Sequence, residues 1–218
     1  METFDWAFEA YRDGAAFTAF DIETTGLEPK QDRIVELGAV KFDRRGPICR
    51  YSALINPGAP MPEAAGRVNG ITDEMLAGQP FLEAVFPDFL RLVNGTVIIA
   101  HNAPFDTGFV NESLRRFYGA GQKQDAGAAQ GSLLPGMDDG AAEPVWAPPF
   151  PALPNRIADT LVLARRLFPQ RNGHKLQELA AALNLDVKNA HRAEDDARIC
   201  MEIFVRMVEL VKSSAGVI

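Results

Sequence analysis

Cysteine and histidine are scarce in this chain, two and three among 218 residues. Cys49 and Cys200 give no disulfide framework, and nothing in the spacing resembles the clustered Cys/His sets that hold zinc. Both sit in apolar runs, where a buried thiol is the simpler reading. Long apolar runs are also missing, so no segment reads as a membrane span. The opening METFDWAFEAYRDG carries acids and no basic n-region, which is not the pattern of a signal peptide. A reduced, cytoplasmic setting is therefore expected. Positive charge is in deficit: 22 Lys and Arg stand against 29 Asp and Glu, a net −7. That balance argues against a protein that coats nucleic acid by charge alone. It leaves room for a site in which acids hold divalent cations, because the cations then receive phosphate.

What is present is an ordinary globular balance, 47% apolar and 23% charged, in a length that suits one domain spanning residues 1–218 with a core at about 15–213. Residues 17–24, 33–42 and 48–55 read as strands, the last two joined at Gly46-Pro47 as an antiparallel hairpin. MPEAAGRVNGIT reads as a short helix and turn, 81–93 as a helix and 96–100 as a short buried strand. Helices are expected at 103–118, 160–168, 175–183 and 193–213. A hairpin first and alternating strands and helices later predict an α/β fold, a mixed sheet covered by helices. Residues 119–155 break the pattern. More than half are Gly, Ala or Pro and no period persists, so a flexible insertion is expected there.

Four carboxylates fall where apolar residues belong. Asp21 and Glu23 are two apart on the first strand and share one face, while Phe20 and Ile22 take the other. Their α-carbons should lie about 7 Å apart, a spacing that can flank two cations. Taken alone, such a pair is more often a solvated strand face. Asp106 continues the apolar stripe Val110, Leu114 and Phe117, with Asn102 as the expected cap of that helix. A helix-dipole charge would explain an acid near this end, but not on this face. The stripe Cys200, Ile203, Phe204, Met207, Val208 and Val211 extends back one turn to Asp196, whereas Glu194 and Asp195 read as solvated. Burying these acids unpaired is costly, and oxygen-ligated Mg²⁺ or Mn²⁺ removes the conflict. His191 lies in the loop just before Asp196, where it can take a proton from an activated water. His101, which ends a strand near Asp106, reads as a supporting group on the substrate side.

Three segments carry a family resemblance. DIETTGL (21–27), HNAPFD (101–106) and HRAEDDA (191–197) resemble the motifs of the DEDDh exonucleases, in that order along the chain. VNGIT (68–72) and IADTLVLARRLFP (157–169) resemble that family's branch of bacterial DNA polymerase III epsilon (proofreading) subunits. The resemblance implies an RNase H-like fold with a five-stranded mixed sheet, three antiparallel strands first. It implies that Asp21, Glu23, Asp106 and Asp196 bind two metal ions and that His191 is the general base. The implied reaction is 3′–5′ removal of nucleotides from DNA. The implied partners are single-stranded or frayed 3′ ends and a DNA polymerase, with no membrane.

Thr24, Thr25, Gly26 and Leu27 follow the first acids and are the natural lining for a terminal nucleotide, with Leu27 as a wedge. Val68 and Asn69 are expected on the other side, and Arg192 at a phosphate. Only SSAGVI follows the last helix, where epsilon subunits carry a tail that binds clamp and polymerase, so action apart from the replisome is one expectation. RNA or short oligonucleotides are an alternative substrate. A non-catalytic nucleic-acid-binding or polymerase-adaptor domain and a different two-metal phosphatase or endonuclease are further alternatives.

Overall fold

The computed structural model describes residues 5–118, 152–187 and 192–215. Its frame is a five-stranded sheet in the order β3-β2-β1-β4-β5. The strands are β1 (Phe17–Thr24), β2 (Ile34–Asp43), β3 (Gly46–Leu54), β4 (Val97–Ala100) and β5 (Ile157–Asp159). The first three pair antiparallel with one another, and β4 and β5 run parallel to β1. This is the mixed sheet expected from the sequence, antiparallel strands first. The helices are α1 (Asp5–Arg12), α2 (Glu63–Asn69), α3 (Asp73–Leu76), α4 (Leu82–Val93), α5 (Ala103–Tyr118), α6 (Thr160–Leu167), α7 (Leu176–Ala182) and α8 (Ala193–Ala215). Among the described residues no helix is long and apolar enough to cross a membrane.

Strand alternation builds two cores, one on each face. Phe20 and Ile22 of β1 pack with Phe86 and Phe89 of α4 and with Val110 and Leu114 of α5. Phe17 and Ala19 point the other way, onto Ile203, Phe204 and Met207 of α8 and Phe8 and Tyr11 of α1. Phe204 is fully buried among Phe8, Tyr11, Phe17 and Phe42; truncating such a ring costs about 3–5 kcal/mol. The row Phe17, Ala19, Asp21, Glu23 thus begins in the core under α8 and ends in acids at the strand's C-terminal end.

Several local expectations are corrected. The β2–β3 turn is Arg44-Arg45, not Gly46-Pro47: Asp43 pairs with Gly46 and Phe42 with Pro47. Asp43 stabilises it by accepting the Arg45 N–H at 2.7 Å and pairing with the Arg45 guanidinium at 2.8 Å. Pro47 is tolerated because β3 is an edge strand. Helix α1 was not anticipated; its Ala7, Phe8 and Tyr11 are buried, and Arg156 lies 3.7 Å over the Trp6 ring. Cys200 is buried but Cys49 only half-buried, being on the edge strand, and both are free thiols. The stretch expected to be a flexible insertion lies outside the described residues as far as 151. Its described end is fixed to the domain. Leu153 is buried in the α4–α5 core and its N–H donates to Asn111 at 2.8 Å, while the Asn155 amide donates to the carbonyls of Val93 and Thr96.

Candidate active site

The site forms where β1 outruns β4. Pairing between them covers Phe17 to Ala19, so among the described residues the edge of β1 beyond Ala19 has no strand beside it on that side. The start of α5 fills the gap. The Asp106 carboxylate, 3% exposed, accepts the Ile22 N–H at 3.2 Å. From the opposite face α8 lowers Asp196, also nearly buried, toward β1. Asp21, Glu23 and Asp196 each present a carboxylate oxygen within 4.8 Å of the other two. A divalent cation fits between oxygens at that spacing.

The electrostatics describe a site short of positive charge. Burial first, then the carboxylates of Asp106, Asp196, Glu23 and Glu36, holds Asp21 well above the usual carboxylate range. Glu23 is pushed up to about 8 by burial, then by Asp196 and Glu36. Burial likewise raises Asp106 well above its ordinary value, against the opposing help of the Ile22 N–H. Like charges this close favour the protonated form until a cation compensates them.

Each neighbouring group has a definite place. Asp196 accepts the Gln177 amide of α7 at 2.7 Å. Arg192 gives its guanidinium fork to Glu36, with Nη2 to Oε1 at 2.7 Å and Nε to both oxygens. His101 uses both ring nitrogens internally: Nδ1 lies 3.0 Å from the Thr160 hydroxyl and Nε2 lies 2.9 Å from the His174 carbonyl. Burial lowers the pKa of His101, and the His174 carbonyl, which can only accept, makes Nε2–H a donor; the Thr160 hydroxyl beside Nδ1 also donates to the Ala100 carbonyl at 3.2 Å. Asn102 is not the side-chain cap expected for α5. It takes a left-handed backbone, φ 66°, and Asp159 meets the N–H groups there, accepting from Asn102, Ala103 and Leu161. Glu194 and Asp195, expected to be solvated, are half-buried and paired with Arg50 and Arg198.

The turn after Glu23 is held from within. The Thr24 hydroxyl donates to the Gly26 carbonyl, and the Thr25 hydroxyl accepts the Arg33 N–H at 3.0 Å. Asp32 accepts the Glu28 N–H at 2.8 Å, and a Cβ at Gly26 would come within 2.5 Å of its carboxylate. Any larger residue there would have to displace the Asp32 carboxylate. Asn69 ties the end of α2 to this turn by donating to the Thr24 carbonyl. Leu27, which follows this turn, and Val68 of α2 are large apolar side chains left 77% and 68% exposed among the described residues. His191 lies outside the described residues. The sequence did not single out Glu36, Gln177, Asp159 or Asp32. Glu36 carried a signal, as the lone acid in the apolar run IVELGAV, and Asp159 carried one, just ahead of a helix. Gln177 carried none.

The chain matches the family described as Exonuclease over residues 18–126 and 146–204. It is 41% identical over 207 residues to the DNA polymerase III subunit epsilon of Treponema pallidum, covering 94% of this chain and 81% of that one. It is 32% identical over 210 residues to the PolC-type DNA polymerase III of Thermotoga petrophila, covering 96% of this chain but only 13% of that longer protein. Among solved structures, exonuclease X in complex with 5′ overhanging duplex DNA superposes with a TM-score of 0.60 at 24% identity, over 89% of this chain and 92% of that one. An exonuclease I structure superposes with a TM-score of 0.62 at 20% identity, over 91% and 43%. These two likenesses identify the fold as that of the RNase H-like nucleases. With the family match and the epsilon relative, they make the chain a member of the Exonuclease family, a 3′–5′ exonuclease of the DNA polymerase III epsilon type.

Proposed function

We propose that the chain removes nucleotides one at a time from unpaired or frayed 3′ ends of DNA, releasing nucleoside 5′-monophosphates, in proofreading or repair in the cytoplasm, alongside a DNA polymerase. The observation that carries this reading is the convergence of Asp21, Glu23 and Asp196 within 4.8 Å at a strand end, with Asp106 beside them. The Arg192 guanidinium, which approaches Glu23, is already taken by Glu36, so among the described residues it leaves the acids for a cation from solution to balance. The grouping of Asp21, Glu23 and Asp196 suits a divalent cation, and these three with Asp106 are the residues that would hold two. Mg²⁺ or Mn²⁺ bound there would supply Lewis-acid activation of water and stabilisation of the leaving 3′-oxygen.

The chain's own residues do the rest. His191 accepts the proton of the attacking water, a role the family resemblance assigns to it. Gln177 orients Asp196, and the Ile22 N–H orients Asp106. Thr24, Thr25 and Gly26 offer backbone to the terminal nucleotide, and Leu27 and Val68 offer uncovered apolar surface against its base. Asn69 keeps the two walls together. A cavity of about 700 Å³ beside His101 and Asn102 is lined by Arg165 and Lys175, which supports passage of the strand's phosphates along that side. His101 then contributes by shaping the wall.

Matched single-stranded DNA and RNA, linear and circular, test the proposal in Mg²⁺. Mononucleotides from linear DNA, slower release from RNA and intact circles are expected. Cuts in the circles would make the chain an endonuclease, and faster release from RNA would reassign the substrate.

A further inference from the structure

Strand β2 supplies none of the acids assigned to catalysis, yet it lies directly beside them. Gly38 is opposite Asp21 and Glu36 opposite Glu23 in the antiparallel register. Opposed residues of such a pair point to one face, so Gly38 and Glu36 look toward α8. A Cβ at Gly38 would fall 2.1 Å from the carbonyl carbon of Ala193 and from the nitrogen of Glu194. The first turn of α8 therefore rests on bare backbone, an approach that any other residue at 38 would block.

Two residues along, Glu36 is 1% exposed. One of its oxygens accepts the Ala193 N–H at 3.3 Å, and the pair of them receive the Arg192 fork. Arg192 is in turn the residue whose carbonyl accepts the Asp196 N–H, at 2.9 Å. A continuous path of directional bonds thus runs from Glu36 through Arg192 to Asp196. The apolar contacts of α8 with Val40 and Phe42 hold the helix against the sheet, but they are non-directional and do not fix its axial position. A two-pronged charge-assisted pair does fix it. An acid next to Asp21 and Glu23 adds repulsion to a site already crowded with charge. A residue serving only to pack would be apolar there, as Val40 is.

We propose that Glu36 and Gly38 form a seat for the first turn of α8 that sets the position of Asp196 over Asp21 and Glu23, with Glu36 as a positioning residue and Arg192 as its partner rather than a phosphate contact. The catalytic consequence rests on the exonuclease reading, whereas the seat itself is measurable without activity. Amide hydrogen exchange at Ala193 and Asp196 is compared between the unmodified chain, Glu36→Gln and Gly38→Ala, with the β4 amides as an internal reference. Both should exchange about tenfold faster or more in each variant, with β4 unchanged. In saturating Mg²⁺, Glu36→Gln should lower kcat on a single-stranded oligonucleotide about tenfold with KM within about threefold, and Glu36→Gln/Arg192→Gln should be no worse than the worse single variant. Unchanged exchange in both variants would overturn the seat. So would a raised KM in Arg192→Gln that adds to the effect of Glu36→Gln, because Arg192 would then be gripping phosphate. Faster exchange in variants of a chain that proves inactive would uphold the seat and remove the exonuclease reading instead.

Discussion

Metal binding at this site should release protons, and the count should depend on pH. Glu23 sits at about 8 in the metal-free protein, above its ordinary 4.5. At pH 7 roughly nine-tenths of the molecules therefore carry a proton on Glu23, and a cation must displace it. Asp21 and Asp106 are raised in the same direction. A carboxyl raised on folding contributes stability that is full below its unfolded value and lost as pH rises through the folded one. The metal-free protein should thus lose stability between about pH 4.5 and pH 8 from Glu23, while metal affinity rises over the same window. One proton released corresponds to about tenfold in affinity per pH unit, or about 1.4 kcal/mol. Calorimetric titration with Mn²⁺ in buffers of different ionisation enthalpy gives the count directly. About one proton or more is expected at pH 7, fewer at pH 9, and about one fewer at pH 7 in Glu23→Gln. Binding at pH 7 with no proton exchanged would refute the reasoning.

Further outcomes follow from the same geometry. His191→Ala should lower turnover by roughly 10²–10⁴ with metal affinity kept, as loss of a base does; lost affinity in the same titration would make His191 a ligand. Paired 3′ ends must be unpaired before cleavage at a cost of a few kcal/mol, so initial rates should favour single-stranded and mismatched ends, and Leu27→Ala should narrow the difference between mismatched and paired ends. Replacing residues 122–150 with a short Gly/Ser linker should keep most activity on a dinucleotide. A folded but inactive variant would place that stretch in the site.

Period carried much of the arrangement. Alternation along FTAFDIET put Asp21 and Glu23 on one face, and the α8 stripe led back to Asp196, because both follow from backbone geometry alone. What period cannot state is which groups meet across the fold. Glu36 was visible as an acid in an apolar strand, but its partner lies 156 residues away. Gln177 meets Asp196 only because α7 packs on α8, and a polar residue on a short helix gives no hint of that. The β2–β3 turn was misplaced because Gly-Pro is a strong turn signal, while the fold lets Pro47 lie on an edge strand and gives the turn to the residues held by Asp43. Strand β5 has only three residues, too few for alternation to register, and only the count of five strands came from the family resemblance.

The central claim is that the acids at the end of β1 and the start of α8 carry out hydrolysis from the 3′ end. A 5′-labelled single strand, sampled through time with the unmodified chain and with Asp196→Ala, tests it most directly. In Mg²⁺ the unmodified chain should give a ladder shortening one nucleotide at a time from the 3′ end. EDTA should stop it, and Asp196→Ala should fold normally and leave the strand intact. A ladder of undiminished rate from Asp196→Ala, or release of the 5′-labelled nucleotide first, would contradict the account.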